Sequence, residues 1–577
     1  MSYLLAVTVG PVQDFIAAAR RTRDLWLGSY LLSEISRAAA QAIEQAGGKL
    51  IFPAASTVSN VANVVVAELT GGTPAEVIDR ARQAVNHRWL EFVREAWDEA
   101  NPVIRKDVWD KQVDDVIEFY AAWVLQTGNY RQDRQRLVRL LAGRKNCRDF
   151  RPNRIDYALP KSSLDGQRET VLQEGNRERW PAAIRLGMRL SAGEQLDVVG
   201  VVKRVAGGRR AYPSIMRIAA DPWVRGNEKK AAFAELVQVC AKLPGEILHR
   251  VDNKQFPQFS AFPFEGVVLY RNRHGQWWEE TGITSEELQA VHRCLDRLPE
   301  PSPYLAVLVA DGDRMGAAIA RLGDAETNRA FSRTLASFAD KAREIVNKHH
   351  GVLVYAGGDD VLAFLPADTC LPCARQLHDA FGALMSGYGP KEGTSDGAPT
   401  LSVGIAIGHC MENLEDFLEY GRAAEKAAKK PDRDGLAVHL HKRSGAPIRI
   451  RLPWSRDPDK SLLRYAELIQ RDAIPSKLPY ELRKMADVYE NWLQPMLQSA
   501  LQADVLRVIR DKQPRSGRAF LPEIEQIVQQ LSSAADLRRF AEELLIARQI
   551  ANALEQSQGG QRLSVEAAGP VTAGGEK

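Results

Sequence analysis

Apolar positions change their spacing several times along the chain, and each spacing predicts a different element. Residues 3–9 form a largely apolar run, which is typical of a buried strand. Residues 11–45 then carry apolar side chains at helical spacing. Two short strands follow near 49–53 and 61–69, before a helix near 75–100. This β-α-β-β-α order is the beginning of a ferredoxin-like unit.

The same order returns in the second half of the chain. Residues 304–310 predict a strand, and residues 325–349 predict a helix. The unit continues with a hairpin of strands at 351–355 and 361–365, a helix at 367–385, a strand at 401–409, a helix at 413–429 and a strand at 436–441. We therefore predict an α+β fold in which one ferredoxin-like unit is duplicated.

Helical spacing dominates much of the chain outside these two units. It covers residues 103–142 and, almost without interruption, residues 455–555. The segment between the units is basic and loop-rich at first and mixed afterwards. We predict five regions: the first unit with its helical extension (1–142), a basic linker with a mixed α/β insert (143–300), the second unit (301–450), a helical C-terminal domain (451–555) and a disordered tail (556–577).

Composition narrows the function classes only slightly. Of the 577 residues, 45% are hydrophobic and 26% are charged, so the chain can form buried cores. The net charge of +4 is too small to indicate nucleic-acid binding by itself. The six cysteines suggest no disulfide framework, and we find neither a signal peptide nor an apolar run of membrane length. These features predict a cytoplasmic protein that does not enter a membrane.

The clearest chemical signal is Ala356-Gly357-Gly358-Asp359-Asp360, which lies between two apolar strands. The glycines permit a tight hairpin and let a phosphate approach the backbone. Two adjacent acids repel each other and contribute nothing to an apolar hairpin. A divalent cation relieves that repulsion, and carboxylate oxygens suit Mg²⁺ or Mn²⁺.

A second acidic segment, Asp311-Gly312-Asp313, ends the first strand of the same unit. Because that strand neighbours the hairpin in a β-α-β-β sheet, Asp311 can reach the metals of Asp359 and Asp360. Two such ions activate an attacking 3′-hydroxyl and stabilise the leaving pyrophosphate. The alternative is that each Asp-Gly pair is only a turn. The two segments on one predicted sheet favour the metal site.

Lysines stand in the last turn of the helix predicted at 413–429, at Lys426 and Lys429. These side chains are placed to meet a triphosphate at the rim of the sheet. Cations at a helix C-terminus are also favourable without any ligand. The residues alone leave these two explanations equal.

Several separated segments of the chain match one family pattern. They are residues 10–16 with 19–20, residues 23–26 with 28–33, residues 148–150, residues 193–196 with 203–204, residues 311–316 and residues 357–360. Together they resemble the large palm-polymerase/cyclase subunit of type III CRISPR effector complexes, and most of all its III-B branch. The resemblance spans about residues 3–445, whereas the Gly-Gly-Asp-Asp turn alone is shared with diguanylate cyclases.

The resemblance implies two ferredoxin-like palm domains of the nucleotide cyclase/GGDEF type, of which the second is catalytic. It implies that ATP is converted to cyclic oligoadenylate when the guide pairs with target RNA. Asp311, Asp359 and Asp360 would be catalytic and, with Asp313, would hold two Mg²⁺ or Mn²⁺ ions. The nucleotide-binding residues would be Gly312, Gly357, Gly358, Lys426 and Lys429.

The first palm lacks these acids. It has Gly10-Pro11 where the second palm has Asp311, and its hairpin at residues 54–60 contains no carboxylate. We expect the first palm to bind a nucleotide or to brace the second palm, without metal ligands of its own.

The resemblance also implies several partners: guide RNA, target RNA, a subunit that caps the 5′ end of the guide, and a small helical subunit at the C-terminal domain. Residues 131–154 hold many arginines and lysines, which pair well with phosphate oxygens. We expect RNA or partner contact there, extended by residues 203–204 and 209–210; a solvated linker face is the alternative. The predicted contacts are Arg144, Lys145, Arg148 and Arg151.

The chain departs from many relatives in two places. It starts directly at the first palm strand, and its His-Asp pair, His378-Asp379, falls in a predicted palm helix, so we expect no HD-type nuclease. Residues 161–166 carry serine and aspartate where relatives often have paired cysteines, so we expect no zinc. The remaining cysteine pair, Cys370 and Cys373, is predicted to be buried or incidental.

Two other functions stay open on the sequence. The subunit could be a catalytically silent scaffold, which ATP turnover by the assembled complex would exclude. It could also be a stand-alone dinucleotide cyclase, which activity without RNA would reveal. The intact acids argue against the scaffold, and the long helical C-terminus argues against the stand-alone cyclase.

Overall fold

The computed structural model has two β-sheets and a helical C-terminal region, which together form an α+β fold. It describes residues 1–147, 158–175, 177–191, 193–206, 212–245, 247–390, 397–475, 477–490, 492 and 494–560. None of the helices in these ranges is long and apolar enough to span a membrane.

The N-terminal part of the chain forms the first palm. Its elements are β1 Ser2–Gly10, α1 Gln13–Ala17, α2 Thr22–Gln45, β2 Gly48–Phe52, β3 Val64–Thr70, α3 Pro74–Ala100, α4 Lys106–Val113, β4 Glu118–Leu125 and α5 Tyr130–Asn146. The four antiparallel strands lie in the order β2-β3-β1-β4, which is the ferredoxin-like arrangement. Helices α2 and α3 cover one face around Ile35 and Val85, and α5 covers the other around Leu137.

Strand β4 corrects the prediction of a helical stretch over residues 103–142. The run Glu118–Leu125 is short and apolar, and periodicity does not separate such a strand from a buried helix. Pairing with β1 makes it a strand, because Tyr3 lies opposite Leu125 and the two strands stay in register to their other ends. The residues on either side of β4 are helical, in α4 and α5.

The helix predicted over residues 11–45 is also divided, into α1 and α2. At the break, the Asp24 carboxylate accepts hydrogen bonds from the backbone N–H groups of Arg20 at 3.2 Å and Arg21 at 3.1 Å. Backbone donors at the start of a helix have no partner within the helix. The Asp24 side chain supplies partners there, so α2 begins just after the break.

The segment between the palms is mainly helical and packs in two directions. It contains α6 Ala182–Met188, α7 Val198–Val205, α8 Ile215–Ala219, α9 Asp221–Asn227, α10 Ala231–Lys242, α11 His274–Thr281 and α12 Ser285–Leu295. Val201 and Val202 of α7 join the core of the first palm. Trp223 of α9 and Phe233 of α10 instead belong to a core that reaches the second sheet.

The second palm repeats the topology of the first. Its elements are β5 Tyr304–Gly312, α13 Met315–Arg321, α14 Ala325–Lys348, β6 Val352–Gly357, β7 Asp360–Pro366, α15 Cys370–Met385, β8 Leu401–His409, α16 Leu414–Ala428, β9 Gly435–Leu440 and β10 Ile448–Pro453. The sheet order is β10-β9-β8-β5-β7-β6, with β9 parallel to β8. Its part β8-β5-β7-β6 corresponds to β4-β1-β3-β2 of the first palm, in agreement with the predicted duplication. Strand β10 extends the sheet beyond the predicted unit.

Both faces of the second sheet are covered. Ala306 and Leu308 of β5 lie in the core that includes α14 and α15. The alternating residues Leu305 and Val307 lie in the core that includes α16 and the middle segment. A strand buried on both faces is apolar at successive positions, which explains the continuous run that identified β5 in the sequence.

The C-terminal region consists of helices packed on one another and on the second palm. They are α17 Pro458–Gln470, α18 Leu478–Tyr489, α19 Gln494–Lys512, α20 Leu521–Gln529 and α21 Ala534–Ser557. Leu545 and Ile546 of α21 join the core of the second sheet, whereas Leu537 and Leu544 of the same helix join the C-terminal core. Residues 561–577, most of the predicted tail, lie outside the described residues.

A network of buried charges links α2 to α7. The Arg204 guanidinium is 2% exposed and donates to the carboxylates of Asp24 at 2.6 Å and Glu194 at 2.8 Å. Buried charges are tolerated when they are paired and hydrogen-bonded in this way. These three residues belong to segments that carry the family resemblance, and here they hold the fold together.

Lys203 is buried beside this network. Its ammonium donates hydrogen bonds to the backbone carbonyls of Phe15 and Ala18, at the end of α1. Burial lowers the pKa of Lys203 to about 8. The prediction that Lys203 and Arg204 extend an RNA-contacting surface is therefore wrong, because both side chains are inside the protein. Residues 209–210 lie outside the described residues.

Candidate active site

Strand β5 carries Asp311 at its C-terminal end. The last pair between β5 and β7 joins Ala310 to Val361, so the antiparallel register continues to Asp311 beside Asp360. On its other side Asp311 lies opposite Ser402 of β8. Because β5 lies between β7 and β8, this acid stands next to the hairpin, as the sequence predicted.

The hairpin acids stand at a two-residue turn between β6 and β7. Gly357 pairs with Asp360, which leaves Gly358 and Asp359 as the loop. Gly358 has a φ of +80°, a left-handed value that favours glycine. A positive φ at the first loop position alone is the pattern of a type II′ turn. This turn keeps Asp359 and Asp360 adjacent at the end of the sheet.

Two glycines leave the space that this arrangement needs. A Cβ atom on Gly312 would lie 2.7 Å from Asp359 Cβ and 3.0 Å from Asp359 Oδ2. A Cβ atom on Gly357 would lie 1.7 Å from the Tyr355 hydroxyl. Packing within the protein therefore accounts for both glycines, while their predicted contact with a nucleotide stays a prediction.

Asp311, Asp359 and Asp360 converge on one point. Each offers a carboxylate oxygen, and these atoms all lie within 4.8 Å of one another. Burial raises the pKa of Asp359 to about 6. Although Asp360 retains exposed surface, desolvation, followed by the charges of Asp359 and Glu425, raises the pKa of its carboxyl to about 7. Crowded carboxylates of this kind are relieved by a divalent cation, and their oxygens fit Mg²⁺ or Mn²⁺.

A lysine just beyond α16 faces these acids. The Lys429 ammonium contacts the Asp311 carboxylate and lies 3.0 Å from Glu425 Oε1. Burial, followed by the nearby Arg433 guanidinium, lowers the pKa of Lys429. Burial raises the pKa of Glu425, a further acid at the site that was not predicted to act there. Its sequence context is that of any helix surface, so no local signal could have selected it.

Asp313 does not belong to this group of converging carboxylates, although it lines the cleft beside them. Its side chain is 1% exposed, and its Oδ2 atom accepts hydrogen bonds from Ser402 Oγ at 2.7 Å and Thr400 Oγ1 at 2.9 Å. The backbone N–H of Asp434 donates to the same oxygen at 3.1 Å. Asp313 was predicted to join the metal ligands. Through Oδ2 it ties β8 to the loop between α16 and β9, which carries Lys429. Its buried Oδ1 atom has no hydrogen-bond partner among the described residues, so its role as a metal ligand stays a prediction.

A cleft of about 720 Å³ opens beside the acids. Asp311, Asp359 and Lys429 line it, together with Arg314 and Arg433, which adopt left-handed φ values of 60° and 64°. Such backbone is uncommon for residues other than glycine and is concentrated at functional sites. The volume falls in the ~300–1,000 Å³ range of small-molecule sites. Neither arginine was predicted, because no local sequence signal marks a left-handed arginine.

The other predicted residues lie away from the cleft. Lys426 is exposed on α16 and is not among the described residues that line the cleft. Arg144 and Lys145 are exposed in the last turn of α5, where Arg144 donates to the backbone carbonyl of Cys147 at 2.8 Å. Arg148 and Arg151 lie outside the described residues.

Two family models match the chain. The model for the second palm domain of Cas10/Cmr2 matches residues 304–437, and the model for the N-terminal part of the CRISPR-associated protein Cmr2 matches residues 4–99. The Cmr2 subunit of the CRISPR Cmr system of Pyrococcus furiosus is 23% identical over 625 aligned positions, which cover 88% of this chain and 69% of that protein. The chain is therefore similar, over most of its length, to the Cas10/Cmr2 large subunits of type III CRISPR systems.

Further comparisons find a short segment shared with a second Cmr2 protein and a fold shared with two solved structures. A 44-residue segment is 46% identical to Cmr2 of Saccharolobus solfataricus and covers 8% of this chain and 4% of that one. The type III-B Cmr-beta structure in the apo state has a TM-score of 0.62 and 14% identity, with 89% of this chain and 78% of that chain covered. Cmr-beta bound to cognate target RNA has a TM-score of 0.59 and 13% identity, with coverage of 89% and 79%. At these identities the two solved structures establish the shared fold.

Two local features that were singled out in the sequence serve the fold of the second palm. The His378 ring stacks on Trp454, and its Nε2 atom lies 2.8 Å from Asp434 Oδ1, so this histidine holds the same loop as Asp313. Cys370 and Cys373 are buried in the palm core, as predicted, and burial raises the pKa of the Cys370 thiol to about 12. Neither thiol is placed for metal binding or redox work.

Proposed function

We propose that this subunit synthesises cyclic oligoadenylate from ATP by two-metal nucleotidyl transfer, and that target RNA activates it within a type III effector complex. The convergence of Asp311, Asp359 and Asp360 within 4.8 Å carries the proposal. These three acids come from two segments 48 residues apart by their numbering (359 − 311), and the antiparallel sheet brings them together. All three fall within the region matched by the Cas10/Cmr2 second-palm model.

The chain contributes position and charge to this reaction. The type II′ turn and the close approach at Gly312 hold Asp359 against β5, so the acids need no rearrangement to act together. Lys429 and Arg433 place positive charge beside the cleft, where it can offset a triphosphate. In phosphoryl transfer, such positioning and charge neutralisation supply most of the catalysis.

The ligand set proposed for two Mg²⁺ or Mn²⁺ ions is Asp311, Asp359 and Asp360. Oxygen donors of this kind match the preference of both ions. Divalent ions bound there would lower the pKa of the attacking 3′-hydroxyl and neutralise the leaving pyrophosphate. Asp313 is left out of this ligand set because it does not belong to the carboxylates that converge within 4.8 Å.

The proposed partners follow from the family and from its solved members. One similar structure is Cmr-beta bound to cognate target RNA. For this chain we propose guide RNA and target RNA as partners, with a subunit that caps the guide's 5′ end and a small helical subunit at the C-terminal domain. Arg144 and Lys145, exposed at the end of α5, together with Arg148 and Arg151, are the proposed RNA or partner contacts.

The test uses the assembled complex with guide RNA, ATP and Mg²⁺, in the presence and absence of matched target RNA. We expect cyclic oligoadenylate from the wild-type complex when target RNA is present. The double variant Asp359→Ala/Asp360→Ala should lose at least ~100-fold of product formation, since metal ions supply several kcal/mol of transition-state stabilisation. Chromatography of the nucleotide products measures both.

Asp379→Asn provides the matched control, because Asp379 is an exposed acid on α15 of the same palm. It should leave product formation unchanged. Equal product from the double variant and the wild type would show that the site is wrongly assigned. Product without any RNA would favour a stand-alone cyclase, and no product under any condition would favour a scaffold.

A further inference from the structure

One loop of the first palm hydrogen-bonds to the catalytic hairpin. This loop, residues 53–63, connects β2 to β3, and we call it the bridging loop. The Asn60 side-chain amide donates a hydrogen bond to the backbone carbonyl of Ala356 at 3.1 Å. Ala356 immediately precedes the Gly-Gly-Asp-Asp turn, so a first-palm side chain holds the base of the metal-binding hairpin.

The Ala356 carbonyl that Asn60 binds lies on the edge strand of the second sheet. Strand β6 is the outermost strand of the second sheet, and within the described residues no strand pairs with it on the side away from β7. Ala356 itself is fully buried, so its carbonyl needs a partner from the protein. Asn60 provides the donor that a neighbouring strand would otherwise supply. The hairpin therefore depends on the first palm for part of its hydrogen bonding.

The bridging loop is itself held in place by α2. The Arg37 guanidinium donates to the carbonyls of Ser56, of Val58 at 2.9 Å and of Ser59 at 3.1 Å. The backbone N–H of Val61 donates to Ser33 Oγ at 2.9 Å. These bonds on both sides of Asn60 limit how far its side chain can move.

A salt-bridge chain anchors Arg37 in turn. The Arg37 Nε atom lies 3.0 Å from Glu34, and Glu34 also pairs with Arg88 of α3 at 3.2 Å. A second contact crosses to the other palm, because the Ser59 hydroxyl donates to the Asp340 carboxylate of α14. The first palm thus offers a rigid support, built from two of its helices, to the second.

We propose that Asn60 is a positioning residue that sets the hairpin geometry required for metal binding by Asp359 and Asp360. The inference rests on the proposed function, in that it takes these acids to be metal ligands. It gives the first palm, which carries no acid in the bridging loop, a defined role in the chemistry of the second. Mutation of residues that orient metal ligands through hydrogen bonds typically lowers metal affinity by about 10- to 100-fold.

Mn²⁺ titration of the purified full chain, followed by electron paramagnetic resonance, tests this role without relying on turnover. Asn60→Ala removes the bond to Ala356, and we expect its Mn²⁺ affinity to fall on the order of 10-fold. Asn60→Asp has the same shape but places an acceptor against the carbonyl, so its affinity should fall further. The Mg²⁺ concentration that gives half-maximal activity of the assembled complex should rise in both variants, and it should rise more in Asn60→Asp than in Asn60→Ala.

Asn63→Ala is the matched control. Asn63 lies in the same loop, but its amide donates to Thr8 and Val9 within the first palm. Its Mn²⁺ affinity should equal that of the wild type. Thermal unfolding of each variant reports whether the fold is intact, and if Asn60→Asp fails to fold, Asn60→Ala still decides.

Wild-type affinity in Asn60→Ala would overturn the proposal. An equal loss in Asn60→Ala and Asn63→Ala would also overturn it, since the effect would then come from the loop as a whole. Asp359→Ala/Asp360→Ala belongs in the same titration. If that double variant binds Mn²⁺ as the wild type does, the proposed metal site fails first, and the inference about Asn60 fails with it.

Discussion

At the scale of single residues, the acids of the second palm are held under conditions that disfavour their charge. Burial raises the pKa of Asp359 to about 6, and desolvation with neighbouring charges raises that of Asp360 to about 7. The contact of Lys429 with Asp311 offsets part of the local charge. An apolar sheet gains no stability from such crowding. Charged groups whose surroundings disfavour their charge are expected at functional sites, where function rather than stability has selected the residues.

Gly312 is the residue whose size should matter most for this crowding. In Gly312→Ala, the new Cβ atom would lie 2.7 Å from Asp359 Cβ, so the hairpin must move away from β5. A displacement on the order of 1 Å is enough to reduce catalysis by about 100-fold. We expect cyclic oligoadenylate formation by the assembled complex to fall about 10- to 100-fold, measured as an initial rate.

Gly323→Ala serves as the comparison for this substitution. A Cβ atom there would meet no described atom within 4 Å, so the rate should stay at the wild-type value. Full activity of Gly312→Ala, or an equal loss in both variants, would contradict the close-approach argument.

Asp311 and Asp313 show how far residue-level reasoning extends. In the sequence they are equivalent acids around one glycine. In the structure Asp311 joins the carboxylate group, whereas Asp313 is buried and bonded to Ser402 and Thr400. Alternation along a strand would place both acids on the same face. The end of β5 at Gly312 and the hydrogen bonds from Ser402 and Thr400 to Asp313 separate them, and neither can be read from three consecutive residues.

At the scale of elements, helix α5 combines a narrow packed face with a basic surface. Leu137 is buried against the first sheet, while Arg136, Arg139, Arg144 and Lys145 are exposed. A helix that is held by one side leaves its cations available to a polyanion. Its C-terminal end leads to residues 148–157, which carry further arginines in the sequence.

Removing the charges at the end of α5 should weaken RNA binding and make the binding less dependent on salt concentration. For a single-stranded nucleic acid, each phosphate contact contributes about 0.7 to the steepness of log affinity against log salt. For Arg144→Ala/Lys145→Ala we expect a slope shallower by about 1 to 2 and RNA affinity lower by roughly 10-fold. Binding of labelled target RNA to the assembled complex at several salt concentrations measures both.

Arg80→Ala/Arg94→Ala removes the same number of charges from exposed positions on α3. Its slope and affinity should match those of the wild type. An unchanged slope in Arg144→Ala/Lys145→Ala would remove α5 from the proposed RNA contacts and leave the solvated-face interpretation in its place.

At the scale of the whole molecule, the two palms and the C-terminal helices are tied together by polar and apolar contacts. Arg329 of α14 donates to the backbone carbonyl of Leu50 at 2.7 Å and pairs with Glu68, both in the first palm. Helix α21 joins the C-terminal core to that of the second sheet through Leu544 and Leu545. A substitution at one of these interfaces should therefore alter the thermal unfolding of the complete chain.

Glu543 of α21 predicts how that stability depends on pH. Burial raises its pKa from 4.5 to about 7, against the opposing effect of Arg539 at 3.6 Å. Folding therefore favours the protonated carboxyl. Its contribution to stability is fully present below about pH 4.5 and is lost as the pH rises through about 7. Thermal unfolding of the full chain should show this loss between about pH 4.5 and about pH 7.

Glu543→Gln stays uncharged throughout this range and should lack that part of the pH dependence. The melting temperature of the variant should therefore gain on that of the wild type as the pH rises. Glu76→Gln, at an exposed position in the first turn of α3, should follow the wild type at every pH. Parallel curves for Glu543→Gln and the wild type would contradict the assignment.

By itself, the sequence determined the repeated strand-helix pattern, the hairpin around Gly357-Gly358 and the presence of the three acids. These features are encoded between neighbouring residues, through apolar period, turn chemistry and helix ends. The family resemblance then implied the nucleotidyl-transfer function that we propose for these acids. Strands β5 to β9 and helices α14 to α16 lie close to where the pattern predicted them.

Only the tertiary structure decided which features serve the site and which serve the fold. It made a strand of Glu118–Leu125 by pairing it with β1, and it buried Arg204 against Asp24, far away in the chain. It also brought Asn60 of the first palm to the carbonyl of Ala356. The reason is physical. Strand pairing, burial and hydrogen bonding between distant segments depend on which surfaces contact each other in the folded chain, and the local sequence does not specify those contacts.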